Sequence, residues 1–129
     1  MKMKIALLLL FFISSLYSRE GDALFNSIHS YLKLYRQFIE EEDLTINNGV
    51  INLALDGRRT NHKSLLLLGF YTVGRQVQKN DLPFRKVQII INYKMKDTQQ
   101  MAFTASMESV LSLAQGRINP DQFFDEIHY

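Results

Sequence analysis

The 129-residue sequence predicts an α+β fold, a small three-stranded mixed sheet with helices mainly on one face. Three observations carry that expectation. Apolar residues alternate with a two-residue period at Val50–Leu55, at Val87–Lys94 and on the return run Met101–Ala105, which reads as one strand and one hairpin. Residues 22–41, 60–79 and 106–115 instead place apolar side chains at three- and four-residue steps, the spacing of one helix face. A helix separates the lone strand from the hairpin, long enough for a parallel crossover of right-handed sense. The predicted order is helix-strand-helix-strand-strand-helix, with a short helix at the C-terminal end.

The first helix opens at Gly21 or Asp22 and stacks Leu24, Phe25, Ile28, Tyr31, Leu32, Tyr35, Phe38 and Ile39 on one broad face. Its expected end near Glu41 meets Glu40, Glu41, Glu42 and Asp43, where the helix dipole disfavours negative charge, so fraying is expected there. Asn47-Asn48-Gly49 is a turn signal that introduces the strand, and Asp56-Gly57 closes it. Thr60 or Asn61 can cap the second helix, which is apolar around much of its circumference and should pack on more than one side. Gly69 and Gly74 cost that helix about 1 kcal/mol each against alanine, a cost that a closely approaching neighbour would explain. Pro83 precedes the hairpin, whose turn falls at Lys96-Asp97. Ser106 caps the next helix, Gly116 marks its end, and Asn119-Pro120 starts the last one.

Residues 1–18 read as a cleavable export signal, leaving 19–129 as one domain. Lys2 and Lys4 supply the positive start, Ile5–Ile13 an unbroken apolar run, and Ser14, Ser15 and Ser18 the small residues of a cleavage region. Even extended to Tyr17 the apolar core is 13 residues. A permanent anchor needs about 20, so a stable membrane anchor is not expected. No cysteine follows the apolar run to take a lipid. The expected destination is the periplasm or exterior of a bacterial cell, since the chain also lacks cysteine for disulfides and any Asn-x-Ser/Thr acceptor.

Removing the signal changes the charge. The full chain has 15 Lys+Arg against 13 Asp+Glu, and Lys2 and Lys4 leave with the signal, so 13 face 13. A neutral domain lacks the basic balance of nucleic-acid binders, and no nucleic-acid partner is expected. Without cysteine there is no thiolate nucleophile and no Cys-ligated metal. His29, His62 and His128 show no metal-ligand spacing, so neither metal nor cofactor is expected.

Two groups of residues could carry function. Arg58, Arg59, His62 and Lys63 gather at a predicted helix start, where arginine forks suit carboxylate or phosphate. The alternative there is a solvated loop pairing with Glu40–Asp43. Aromatic side chains form the second group. Tyr71, Phe123 and Phe124 are candidates for contact with a partner protein or a small apolar ligand, against the alternative that aromatics simply fill a core without tryptophan. The reading that follows is an exported, non-catalytic binding or accessory domain. The alternative is a small anion-binding hydrolase centred on Arg58, Arg59 and His62.

Overall fold

The computed structural model describes residues 22–80, 83–93 and 99–128, so the expected export signal and the turn at Lys96-Asp97 lie outside the described residues. The fold is α+β with a mixed sheet, as the sequence predicts, but the sheet has four strands rather than three. Helix α1 covers 22–33, followed by strands β1 (Leu44–Asn47) and β2 (Val50–Gly57) and helix α2 (His62–Asn80). Strands β3 (Lys86–Tyr93) and β4 (Gln99–Ser106) lead into helices α3 (Met107–Ala114) and α4 (Pro120–Asp125). The spatial order is β1-β2-β3-β4, with β2 and β3 parallel across the α2 crossover and both outer pairs antiparallel.

The extra strand comes from residues expected to end a helix or lie in a loop. Helix α1 stops at residue 33 rather than 41 because Arg36 adopts φ 60°, a left-handed conformation. The Gln37 amide then donates to the Leu32 carbonyl at 3.0 Å and the Arg36 amide to Lys33 at 3.1 Å. That bond pair is a Schellman ending, usually built on glycine. Glu40–Asp43 is therefore not a frayed helix end. The Glu40 amide donates to the Asp43 carboxylate at 2.8 Å at the start of a 3-10 turn, Glu41–Asp43. Leu44 and Ile46 then pair with Leu53 and Ile51 through a two-residue turn in which Asn48 and Gly49 both have positive φ, at 52° and 77°. An Asn-Gly pair at those positions suits a tight hairpin because both residues tolerate that conformation. The Arg85 guanidinium holds the turn by donating to the Asn48 carbonyl at 2.8 Å.

One sheet face is covered. Ile51, Leu53, Leu55, Val87, Ile89, Ile91, Phe103 and Ala105 are buried, while Asp56 and Ala102 of the opposite face are exposed. Helix α2 lies on the covered face, with Leu65, Leu66, Phe70, Val73 and Val77 in the core. Its glycines lie at the closest approaches. A Cβ on Gly69 would sit 3.2 Å from the ends of Leu55 and Ile89. One on Gly74 would lie 2.9 Å from both the Val110 carbonyl and the Ala114 Cβ of α3. The last helices form as expected. The Ser109 amide donates to the Ser106 hydroxyl at 3.2 Å, and the Gln122 amide to the Asn119 side chain at 2.8 Å, with Pro120 at the helix start. His128 is tied to the edge of β4 by two backbone bonds with Thr104, at 2.8 and 2.9 Å.

Candidate ligand-binding cleft

Helix α2 has more apolar surface than the sheet and α3 can cover. Leu67, Leu68 and Tyr71 face away from the sheet and remain half-buried. They form one wall of a cleft of about 650 Å³, in the range of small-molecule sites. Tyr31, Tyr35 and Gln37, from the end of α1 and its turn, close one side, while Leu113, Gly116, Ile118 and Pro120 close the other. Asn61, just before α2, and Ser64 complete the wall of Leu67, Leu68 and Tyr71. The left-handed turn at Arg36 and the glycine at Gly116, with φ 73°, thus end the two flanking helices beside the cleft.

The aromatic end is a cluster of three phenols. The Tyr31 ring lies 5.5 Å from Tyr35 and 6.4 Å from Tyr71, and the Tyr31 and Tyr35 hydroxyls are 3.5 Å apart. Tyr35 is 54% exposed, and Leu34 and Phe38, which do not line the cleft, more so. The hydrogen bond with Tyr35, followed by burial and the adjoining phenols, pushes the Tyr31 pKa up to about 12 against an opposing effect of Arg75. The fold therefore favours the neutral phenol. Its stabilising contribution is complete below pH 10 and declines as pH rises from 10 towards 12. In an alkaline absorbance titration Tyr31 should ionise late, and Tyr35→Phe should bring that late step down towards 10. An unchanged step would mean that the hydroxyl pair does not set it.

The four cationic candidates fall outside the cleft walls. Arg58, Arg59 and Lys63 are exposed, and none of them, nor His62, lines the cleft. The loop is organised by its own backbone. The Arg58 amide donates to the Asn61 side chain at 2.9 Å, and His62 Nδ1 is 2.9 Å from the Arg59 carbonyl. Tyr71 does line the cleft. Phe123 is fully buried and meets Phe70 edge-on at 5.1 Å, so its ring is core. Phe124 is half-buried, 6.2 Å from Phe123. His29 is half-buried and stacks on Phe25.

Sequence reasoning missed Leu67, Leu68, Leu113 and Ile118 as wall residues. The wide apolar circumference of α2 was the available signal, together with Ile118 alone among polar neighbours. Among the described residues, no group of three acids and histidines could hold a metal ion, and no helix is long and apolar enough to cross a membrane. Comparison with protein-family models, with curated proteins and with solved structures gives no match.

Proposed function

We propose that the chain is an exported, soluble, non-catalytic binding domain of a bacterial periplasm or cell exterior, and that it takes up an apolar ligand in the cleft between α1, α2 and the α3–α4 connection. The observation that carries this reading is the cleft itself, a concavity of about 650 Å³ with leucine, isoleucine and tyrosine walls. Apolar walls with a few polar groups are the usual character of a small-molecule site. The polar groups present are three phenols, the Ser64 hydroxyl and the amides of Gln37 and Asn61, suited to orienting a ligand. Among the described residues, no carboxylate or histidine lines the walls. The charge, apolar run and serines of residues 1–18 support export.

Expressed in a bacterium from its full-length sequence, the protein should be recovered outside the cytoplasm with a new N-terminus near Arg19. Cytoplasmic protein retaining Met1 would contradict export. The purified protein should bind Nile red, a neutral apolar dye, with a blue-shifted rise in its emission. Leu67→Gln, which keeps a good helix former, and Tyr35→Ala, at an already exposed position, should each weaken the dye about tenfold, equivalent to about 1.4 kcal/mol. Thermal melting should change little for either. Undiminished dye binding in both variants would place the dye elsewhere and remove the reading.

A further inference from the structure

The domain expected after export is neutral, yet its charges are not evenly spread. Three segments build the cleft, 31–37, 61–71 and 113–120. They contain four Lys or Arg residues, Lys33, Arg36, Lys63 and Arg117, and no Asp or Glu. All four are exposed. Arg117 stands between the lining residues Gly116 and Ile118, whereas Arg36 lines a separate depression with Asp43 and Asp56. Lys63 precedes Leu67 by one helical turn on the same side of α2. Two walls, α2 with Lys63 and the α3–α4 connection with Arg117, therefore have a cation next to a lining residue. The one carboxylate adjacent in sequence to a lining residue is Asp121, beside Pro120.

We infer that the occupant of the cleft is a free, single-chain anionic amphiphile of the long-chain carboxylate class, with its apolar chain against Leu67, Leu68 and Tyr71 and its head group at the cationic rim. The inference rests on the cleft being the binding site. Burial of the chain supplies the attraction in proportion to apolar area. The cations sit outside the walls, in water, where they can meet a carboxylate without being desolvated themselves. Long basic side chains also lay their methylene stems along apolar surface while the charge stays wet. A neutral amphiphile would gain the first contribution without the second, and a cationic one would be repelled by the rim.

The test is displacement of Nile red from the full-length-encoded, host-processed protein by three amphiphiles of equal chain length, each below its micelle concentration. These are dodecanoate, dodecyl maltoside and dodecyltrimethylammonium. Dodecanoate should displace the dye at about tenfold lower concentration than the maltoside, as a few solvent-facing ion pairs provide. The cationic amphiphile should be the weakest. The advantage should shrink in high salt and should fall in the double variant Lys63→Glu/Arg117→Glu, read as the ratio of dodecanoate to maltoside affinity. Equal displacement by all three head groups would overturn the anionic assignment while leaving the cleft as an apolar site. Binding to phosphatidylglycerol vesicles without displacement by monomeric dodecanoate would also overturn it, in favour of a membrane surface. No dye binding at all would overturn the cleft reading and this inference together.

Discussion

Replacing Gly74 with alanine should destabilise the protein by about 2 kcal/mol or more, although the same exchange within an ordinary helix gains about 1 kcal/mol. The sign changes because of what surrounds the new methyl group. It would lie 2.9 Å from the Val110 carbonyl, 2.9 Å from the Ala114 Cβ and 3.0 Å from a Val110 methyl. A carbonyl on a packed helix cannot rotate away as a side-chain terminus can. Helix α3 would have to move off α2, loosening the buried Val110 and Leu113. Urea unfolding followed by circular dichroism measures the loss. Gly69→Ala is the control, because its contacts at 3.2 Å are the ends of Leu55 and Ile89, which can shift, and a much smaller change is expected. Ala114→Gly added to Gly74→Ala should recover only part of the loss, since the Val110 carbonyl remains. Displacement of α3 would also move Leu113 and the Gly116–Pro120 wall, so weakened dye binding should accompany the lost stability. A stabilised Gly74→Ala variant would contradict the close α2–α3 contact.

Phe123→Ala should cost still more, about 3 to 5 kcal/mol, the usual range for truncating a fully buried aromatic. Phe123 is 0% exposed and packs edge-on against Phe70. Helix α4 has six residues, too few to persist without tertiary contacts, and among the described residues after Ala114 the buried side chains are Phe123 and Ile127. Losing Phe123 should therefore release more than its own contacts. The Thr104 and His128 amides, which pair with each other's carbonyls, should lose protection from hydrogen exchange ahead of the β3 amides. Phe124→Ala, at a half-buried position, should cost clearly less. Equal effects at the two positions would mean that α4 is not anchored through Phe123.

The regular parts of the fold were legible because local signals and tertiary packing agree in them. The alternation of β2 and β3 survives as alternating burial, and Ser106 and Asn119 cap the helices their positions suggest. Strand β1 was not legible. It has only Leu44 and Ile46 facing the core side, and it follows an acidic run. The helical spacing of residues 22–39 also runs past the true end of α1. Phe38 fits that period yet is 69% exposed, because the chain turns at Arg36, and an arginine in a left-handed conformation gives no sequence signal. Asn48-Gly49 carries a turn signal, but the strand before it carries none.

The cleft was half legible. The apolar circumference of α2 was visible, and packing on a second side was the expected use of it. Leu67 and Leu68 instead face an open concavity, a distinction that depends on where α1 stops. Tyr71, a candidate for ligand contact, lies in the wall, whereas Phe123, a candidate of the same kind, lies in the core. Adjacent aromatics on a short helix give no indication of which one is covered. Net charge concealed the cationic rim, since a sum of zero does not show that the segments around the cleft contain no acid.

The most direct test of the cleft as the binding site is a methyl-resolved NMR titration of the processed protein with a neutral apolar ligand. The expected result is concentration-dependent shifts of the Leu67, Leu68, Leu113 and Ile118 methyl groups, with Ile90 on the open sheet face unmoved. Shifts centred on Ile90 with the cleft methyls silent, or no shifts at any methyl, would contradict it.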